Sequence, residues 1–254
     1  MQDYTKDGVL HCGKCNEPKE RLFELLGKTI HVHKMCKCER QEEYERQERI
    51  KQYNCNTKIA NNRRTAFGNS KLVNCTFESD DGKDQQITKA AKNYVEKFQD
   101  LNKGLLLFGD VGTGKTYIAC CIANALIDKG YKVLVTNFAT LVTRINSTQD
   151  KFSYFQNLNT YDLLVIDDLA SERDTEYMNE IVTNVIDTRY NADKPIIITT
   201  NLTVEELTGA EEVTKKRVYS RLLEMCYPLE LKGEDRRRDL LKDSSEEMKK
   251  ELGL

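Results

Sequence analysis

A glycine-rich segment in the middle of the chain has the spacing of a phosphate-binding loop. It reads G-x-x-x-x-G-K-T and directly follows the apolar run LLLF. Glycines let the backbone curl so that successive N–H groups face a phosphate, and a helix that begins there adds its positive N-terminal end. The segment YIACCIANALIDKG that follows has the pattern of such a helix. We expect nucleotide phosphates to contact Gly109, Asp110, Val111, Gly112, Thr113, Gly114, Lys115 and Thr116.

Two of these side chains have the chemistry that a nucleoside triphosphate and its magnesium ion require. Lys115 can reach the β- and γ-phosphates, and the hydroxyl of Thr116 can bind Mg²⁺. The alternative is a chance match in a glycine-rich turn, which the strand–loop–helix setting disfavours. Cys120 and Cys121 lie on the predicted helix, where packing explains them better than chemistry does.

A pair of aspartates follows the apolar run LLVI further along the chain. Such a run predicts a buried strand, which carries Asp167 to the edge of a sheet where its carboxylate can hold Mg²⁺. Asp168 is then placed to orient or deprotonate an attacking water molecule. Two solvated aspartates at a strand end are the alternative, and the phosphate loop upstream favours the catalytic interpretation.

Three further groups could complete such a site. Asn201 follows the strand pattern IIITT and could sense the γ-phosphate or position water, although an ordinary turn residue after a strand looks the same. Arg217 and Arg221 share one helical face in KKRVYSRLLEM, and one of them could reach the nucleotide of a neighbouring subunit. The basic run from Arg236 to Arg238 could contact phosphates of nucleotide or DNA. Simple solvation is the alternative for all of these arginines.

Four of the nine cysteines form two close pairs near the start of the chain: Cys12, Cys15, Cys36 and Cys38. Four thiolates suit a tetrahedral Zn²⁺ ion, and a C-x-x-C pair places two sulfurs on one side of it. The gap in the second pair is tighter than usual, and His33 or His11 could replace one thiolate. A redox role for the first pair is the weaker alternative because no βαβ pattern surrounds it. We expect a structural zinc module that needs its metal to fold.

The elements that must position these residues alternate regularly from Gln86 onward. Apolar runs separated by helical patterns occur at Leu105–Phe108, Val133–Phe138, Leu163–Ile166 and Ile196–Thr199. This alternation predicts an α/β fold with a doubly wound parallel sheet. The strand between the phosphate loop and the acidic pair indicates the class of phosphate-loop ATPases that use an additional acidic residue. The segment from Arg40 to Asn62 is almost entirely charged or polar, which predicts a solvated or partner-binding helix.

Composition restricts the remaining possibilities. The 254 residues suit one α/β domain with a small appendage. No apolar stretch is long enough for a membrane span, and MQDYTKDGVL lacks the profile of a signal peptide, so we expect a cytoplasmic protein without a membrane partner. An odd number of cysteines agrees with a reducing compartment. Because the net charge is −2, binding of nucleic acid would require a local basic patch.

Taken together, the motifs resemble those of the DnaC/DnaI/IstB-like AAA+ ATPases, especially the helicase loaders of phages and bacteria. The resemblance covers roughly residues 70 to 240 and rests on Thr76-Phe77-Glu78, GDVGTGKT, YDLLVIDDL, PIIITTNL, RVYSRL and LKGEDRR. It implies an AAA+ (ASCE) sheet without a full lid domain. The resemblance also makes Arg221 the arginine finger and Arg237 the second sensor arginine, with Arg236 as the alternative. Ala170 is a departure, because many relatives have glycine there.

The resemblance further implies a function and a division of the chain. Residues 1–65 would be a zinc-binding module with a charged helix that binds a hexameric replicative DNA helicase, 66–85 a linker, and 86–254 the ATPase domain. ATP, Mg²⁺ and Zn²⁺ would be the cofactors. ATP binding would favour self-association through the ATPase domains, and slow, DNA-stimulated hydrolysis would release the loader after the helicase is placed on single-stranded DNA. An IstB-type transposition helper ATPase and a weakly hydrolysing zinc adaptor are the alternatives.

Overall fold

The computed structural model describes residues 2–169, 176–236, 248, 249, 251 and 252. The chain divides into two compact units, Met1–Lys58 and Ile59–Leu254. The segment 66–85, which its composition indicates to be a linker, therefore lies within the second unit. None of the helices in the described residues combines the length and apolar character needed to cross a membrane.

The first unit contains two antiparallel hairpins, in the part of the chain that the structure describes, and the first turns of a long helix. Its elements are β1 (Tyr4–Lys6), β2 (Val9–His11), β3 (Glu20–Leu25), β4 (Lys28–His33) and α1 (Lys37–Phe67). Leu26 and Gly27 join β3 to β4 and have φ values of 51° and 71°. Two residues with positive φ form the tight turn whose twist suits a hairpin.

Helix α1 is charged along most of its length and buries side chains only near its end. Its exposed face has ion pairs one turn apart, such as Arg46 with Glu43 at 2.8 Å. The helix extends beyond the predicted end at Asn62 because Ala66 and Phe67 pack into the apolar core of the second unit. The Nδ2 of Asn62 also donates to the carbonyl oxygen of Tyr131 at 3.2 Å.

The second unit is built on one parallel sheet, which has five strands in the described residues and the order β6-β7-β8-β5-β9. The strands are β5 (Gly104–Phe108), β6 (Val133–Asn137), β7 (Leu163–Leu169), β8 (Ile196–Thr200) and β9 (Cys226–Glu230). The predicted α/β fold with a parallel sheet is confirmed, and β9 is a strand that the sequence analysis did not predict. Because β8 lies between β5 and β7, the carboxyl ends of these three strands are neighbours.

Helices cover both faces of this sheet. After the 3₁₀ turn Lys71–Asn74 they are α2 (Gln85–Glu96), α3 (Lys115–Asp128), α4 (Phe138–Ser147), α5 (Lys151–Leu158), α6 (Glu176–Asn191), α7 (Val204–Thr208) and α8 (Val213–Met225). Side chains of β5 alternate between two apolar layers: Leu105 and Leu107 pack with α2 and α3, whereas Leu106 packs with α4, α6 and α8. This alternation follows from the two-residue period of a strand.

The segment before α2 is fixed against α3 by hydrogen bonds. The Nδ2 of Asn124 donates to the carbonyl oxygens of Val73, at 3.2 Å, and Cys75, at 2.8 Å. The hydroxyl of Tyr117 donates to the carbonyl oxygen of Thr76 at 3.0 Å. The Thr-Phe-Glu motif is thereby held beside the helix that follows the phosphate loop.

Candidate active site and metal centre

The phosphate loop connects β5 to α3, as its sequence predicts. Gly109 has φ 138°, and a Cβ there would lie 2.2 Å from the carbonyl oxygen of Leu231. Gly112 has φ 83°, and a Cβ there would lie 1.8 Å from a carboxylate oxygen of Asp235. Both positions combine a left-handed backbone with a close approach of another segment, so only glycine fits.

The ammonium group of Lys115 lies against the loop that precedes it. Its Nζ donates to the carbonyl oxygens of Gly109, at 2.8 Å, and Asp110, at 2.7 Å. Lys115 is buried, and the hydroxyl of Thr113 also bonds to the carbonyl oxygen of Asp110, at 2.9 Å. The positive charge is therefore concentrated at the loop where the sequence predicts phosphate binding.

The hydroxyl of Thr116 meets the carboxylate of Asp167 across the ends of two elements. Thr116 Oγ1 donates to Asp167 Oδ1 at 2.7 Å, and Thr199 Oγ1 on β8 donates to the same oxygen at 2.6 Å. Neighbouring ligands of an octahedral Mg²⁺ ion lie about 2.8–3.0 Å apart, given bond lengths of about 2.0–2.1 Å. The hard oxygen donors of Thr116 and Asp167 therefore fit the ion that the sequence predicts.

Asp168 occupies a bulge at the end of β7. It is exposed and has φ 62°, and the register of β7 against β8 shifts between Ile166 and Leu169. Its backbone N–H donates to the hydroxyl oxygen of Thr199 at 2.9 Å. The bulge places the two aspartates next to each other at the carboxyl edge of the sheet, where Asp167 is bonded to Thr116 and Asp168 is an exposed residue.

Asn201 is the residue immediately after β8 and is exposed. Strand β8 lies between β5, which leads into the phosphate loop, and β7, which carries Asp167. Asn201 therefore follows the strand that separates these two. The sensor role of Asn201 remains a prediction.

Arg221 and Arg217 point from α8 to one acidic residue of α6. Arg221 forms an ion pair with Asp187, and Arg217 Nη2 lies 3.3 Å from the other carboxylate oxygen of Asp187. The guanidinium of Arg221 also lies 5.4 Å from the ring centroid of Tyr190. Within this chain both candidate finger arginines are therefore bound to Asp187.

The C-terminal end of the second described range lies against the phosphate loop. The backbone N–H of Arg236 donates to the carbonyl oxygen of Gly112 at 3.1 Å, and a Cβ at Gly114 would lie 3.5 Å from the Arg236 guanidinium carbon. Arg236 Nη1 lies 3.0 Å from a carboxylate oxygen of Asp81. Three other positions discussed above lie outside the described residues: Ala170, Arg237 and Arg238.

The cysteines of α3 are packing residues. Cys120 and Cys121 are buried, and burial raises the pKa of Cys121 to about 12. A hydrogen bond with Cys75 and burial raise the pKa of Cys120 as well. Both side chains therefore stay protonated at neutral pH, in agreement with the sequence interpretation.

The candidate metal centre lies in the first unit and consists of four cysteines. Among the described residues, the sulfurs of these four form a cluster in which all lie within 4.8 Å of one another: Cys12, Cys15, Cys36 and Cys38. A tetrahedral Zn²⁺ ion with Zn–S bonds of about 2.3 Å would separate its sulfurs by about 3.8 Å. The four thiols therefore fit a zinc ion, and a four-sulfur site has no open coordination position for catalysis.

Electrostatics within the cluster favour a divalent cation. Backbone hydrogen bonds from Glu17 and Cys38 lower the pKa of Cys15 to about 6. The hydrogen bond with Cys15 is the main reason that the pKa of Cys38 rises to about 12. The thiolate of Cys15 thus forms easily, and its negative charge opposes ionisation of Cys38. A bound cation would neutralise this charge and allow both thiols to ionise.

The histidines lie outside this cluster. His11 Nδ1 is 2.9 Å from the carbonyl oxygen of Val9, and His33 Nε2 is 3.7 Å from a carboxylate oxygen of Glu39. The four-cysteine set is therefore the better candidate than a set in which either histidine replaces a thiolate.

Comparison with known proteins identifies the family. A family model described as "IstB-like ATP binding protein" matches residues 34–245, which is most of the chain. The chain belongs to this family. The predicted family resemblance is thereby confirmed, and the phosphate loop and its acidic pair are parts of an ATP-binding AAA+ protein.

Curated relatives of this IstB-like protein include replicative helicase loaders. The chain is 30% identical to the replicative helicase loader DnaC of Escherichia coli K12 over 144 residues, which are 53% of this chain and 58% of the relative. It is 30% identical to the replicative helicase loader DnaI of Bacillus subtilis over 187 residues, or 65% of this chain and 59% of the relative. The chain thus spans less than two thirds of the length of these relatives.

A solved structure supports the fold of this IstB-like chain independently. The crystal structure of the DnaC helicase loader aligns with a TM-score of 0.54 at 24% identity and covers 64% of this chain and 100% of that one. At this level of identity the likeness concerns the fold.

The structure of this family member adds residues that sequence reasoning missed. Three residues of the site were not predicted. Thr199 contacts the acidic pair, Asp187 contacts the candidate finger arginines, and Asp235 contacts the phosphate loop. For Thr199 the sequence held only a weak signal, because Thr199 and Thr200 both follow three isoleucines and threonine suits any buried strand.

Proposed function

We propose that this chain is an ATPase that loads a hexameric replicative DNA helicase onto single-stranded DNA. The observation that carries the ATPase part is the meeting of Thr116 on the phosphate loop with Asp167 on β7, beside the exposed Asp168. The loader part is supported by the names of the relatives from Escherichia coli and Bacillus subtilis. We place this activity in the cytoplasm of a bacterial cell or of a phage-infected host.

Binding of ATP depends on the loop and the start of α3. Backbone N–H groups of the loop and the positive end of α3 would hold the phosphates. Lys115, which now donates to the carbonyl oxygens of Gly109 and Asp110, would transfer its hydrogen bonds to the β- and γ-phosphates. Thr116 and Asp167 would hold Mg²⁺, which neutralises charge on the phosphate oxygens when bound.

Hydrolysis requires a water molecule in line with the γ-phosphate. Asp168 is the residue we assign as general base, because it is an exposed acidic residue at the edge of the sheet next to Asp167. Asn201, after the neighbouring strand, would orient the water or sense the γ-phosphate. Arg237 remains our candidate for the second sensor, and Arg236, whose backbone N–H donates to the carbonyl oxygen of Gly112 in the phosphate loop, is the alternative.

Self-association would complete the site with an arginine of a second copy. Arg221 is our candidate for this finger, and Arg217 is the alternative. Because Asp187 binds both guanidinium groups within one chain, docking on a neighbouring nucleotide would require Arg221 to exchange Asp187 for phosphate. This exchange would make ATP hydrolysis depend on assembly.

The zinc unit is the part that we assign to the helicase. It carries the four-cysteine cluster and the charged first turns of α1, and its residues before position 34, which include Cys12 and Cys15, lie outside the family match. A metal-dependent unit joined to an ATPase gives the chain one surface for the helicase and another for ATP and DNA.

The test is size-exclusion chromatography with light scattering on the full chain mixed with the replicative helicase of its host. The mixture is analysed with ATP, with ADP and without nucleotide. We expect a complex whose stoichiometry changes with the nucleotide, and we expect its loss when Cys12 and Cys15 are both replaced by serine. A Cys55→Ser variant is the matched control, because Cys55 is exposed and lies outside the cluster.

Two outcomes would overturn parts of this proposal. If no complex forms under any nucleotide condition, the loader assignment fails and a transposition helper, which binds duplex DNA and a transposase, becomes the better assignment. If a complex forms but a phosphate-release assay on the same mixture detects no ATP hydrolysis, the chain is a zinc adaptor that binds ATP without turnover.

A further inference from the structure

The side chain of Thr199 lies between the two acidic residues of the site. Its Oγ1 donates to Asp167 Oδ1 at 2.6 Å and accepts the backbone N–H of Asp168 at 2.9 Å. Thr199 is fully buried on the central strand β8, so its hydroxyl has little access to water. The same hydroxyl group is therefore a hydrogen-bond donor to Asp167 and a hydrogen-bond acceptor from Asp168.

The bulge in β7 explains why such a bridge is needed. Ile166 pairs with Ile198 and Leu169 pairs with Thr200, so both aspartates of β7 face the single residue Thr199 of β8. Two residues opposite one is the definition of a β-bulge, in which the additional residue loses its regular ladder partner. The N–H of Asp168 finds its acceptor in the side chain of Thr199 instead of a strand carbonyl.

The left-handed backbone of Asp168 increases the importance of this bond. Asp168 has φ 62°, a left-handed conformation that aspartate tolerates better than most side chains but that still needs neighbouring contacts to hold it. The hydrogen bond to Thr199 is a local interaction that holds it. Without that bond the backbone of Asp168 gains freedom, and the carboxylate direction changes with it.

We propose that Thr199 is the positioning residue of the acidic pair. Its hydroxyl sets the distance between the Asp167 carboxylate and the backbone of Asp168, and it fixes the direction in which the Asp168 carboxylate points. This inference rests on the ATPase function proposed above and adds a residue to it. Thr199 acts through the two aspartates, since its hydroxyl bonds to them.

Thr199 should influence turnover more than nucleotide binding. The groups assigned to the phosphates belong to the loop between β5 and α3, and the hydroxyl of Thr199 contacts β7. Loss of the hydroxyl would displace the general base while the loop stays intact. A displacement of about 1 Å in a catalytic group can lower a rate about 100-fold.

The experiment compares ATP hydrolysis and ATP binding in full-length variants. Thr199→Val keeps the shape and removes the hydroxyl, Thr199→Ser keeps the hydroxyl, and Thr199→Cys offers only a weak hydrogen-bonding group in case the valine variant does not fold. Thr136→Val is the matched control, because Thr136 is a buried threonine on β6, opposite Ile166. Binding is measured with a fluorescent ATP analogue in buffer without added Mg²⁺, turnover by phosphate release with Mg²⁺, and folding by thermal melting.

We expect Thr199→Val and Thr199→Cys to lower kcat by about 10- to 100-fold, with the dissociation constant of the analogue changed by less than about threefold. Thr199→Ser should stay within about threefold of the unmodified chain, and Thr136→Val should do the same. A purely structural role would lower the melting temperature of the two valine variants alike and leave kcat of the folded protein unchanged. That result would overturn the inference.

The design separates this inference from the proposed function. If the unmodified chain hydrolyses ATP and Thr199→Val or Thr199→Cys does so equally well, the positioning role is wrong and the ATPase stands. If the unmodified chain shows no hydrolysis with Mg²⁺ and single-stranded DNA, the ATPase function is wrong, and the inference that rests on it is overturned as well.

Discussion

The second unit buries apolar side chains on both faces of its sheet, whereas the β3–β4 hairpin of the first unit leaves its own in contact with solvent. Leu106, Leu164 and Ile198 are fully buried in the sheet. On the hairpin, Phe23 is 51% exposed and Leu26 is 97% exposed. A unit of this size with so little buried apolar surface needs another source of stability, and the four-cysteine cluster provides one.

The two units therefore position their functional groups by different means. In the second unit a rigid sheet brings Thr116, Asp167 and Thr199 together at its carboxyl edge, so the packed core sets the geometry of the site. In the first unit metal ligands would hold the chain and leave the hairpin available for a partner.

Removal of zinc should have the largest effect. Structural zinc sites supply about 10 kcal/mol or more of binding free energy, so chelation should unfold the first unit. We expect loss of the amide resonances of residues 2–36 in NMR spectra, while the apolar core of the second unit keeps its melting temperature. Cys36→Ser should mimic chelation, and Cys55→Ser should not. A first unit that stays folded with all four thiols reactive would contradict the role of the metal.

Among the charged residues of the second unit that the structure describes, replacement of Arg189 should lower the free energy of unfolding most. Arg189 is fully buried and donates to carbonyl oxygens at the end of α5 and just before β7 and β8, those of Leu158, Tyr161, Asp162 and Pro195. Burial lowers its pKa to about 10, so it is still charged at neutral pH. Arg189→Met should lower the free energy of unfolding by about 3–5 kcal/mol, because the carbonyl groups lose their donor.

Arg46→Met on α1 is the matched control for this change. Arg46 forms an exposed ion pair with Glu43, and such pairs contribute at most about 1 kcal/mol. Chemical denaturation of the zinc-loaded chain measures both variants. Equal stability losses for the two arginines would show that burial does not decide their contributions.

The sequence could predict the local parts of this site and missed the parts that depend on register. The phosphate loop and the strand before Asp167 are contiguous patterns, so strand, loop and helix could be located directly. Thr199 could not be assigned, because a threonine suits any buried strand and its contact with the acidic pair exists only through the bulge in β7. The register of two strands so distant in sequence is a tertiary property.

Long-range contacts explain the other differences. Arg236 binds Asp81, which lies 155 positions away in sequence, and no local pattern links the two. Helix α1 continues to Phe67 because tertiary packing decides its end, whereas the charged pattern alone suggests an earlier one. The hairpin turn at Leu26 was also missed, because leucine is not a typical residue for a left-handed backbone.

Leu26→Asn should have the smallest effect, and it should be stabilising. Leu26 is exposed and has φ 51°, a conformation that asparagine tolerates better, and Asn-Gly is the favoured pair in such a turn. We expect the free energy of unfolding of the zinc-loaded first unit to rise by at most about 1 kcal/mol. Leu25→Asn, in extended strand, is the control and should give no gain. A clear destabilisation by Leu26→Asn would mean that its side chain makes contacts essential to the unit.

The most direct test of the account is ATP hydrolysis by Asp168→Asn compared with the unmodified chain, both with Mg²⁺ and single-stranded DNA. Asparagine tolerates the left-handed backbone of Asp168, and Asp193→Asn is the matched control, because Asp193 is exposed and has φ 50°. We predict measurable turnover by the unmodified chain and by Asp193→Asn. For Asp168→Asn we predict a loss of about 100-fold or more with ATP binding retained. Equal turnover by Asp168→Asn, or none by the unmodified chain, would contradict the account.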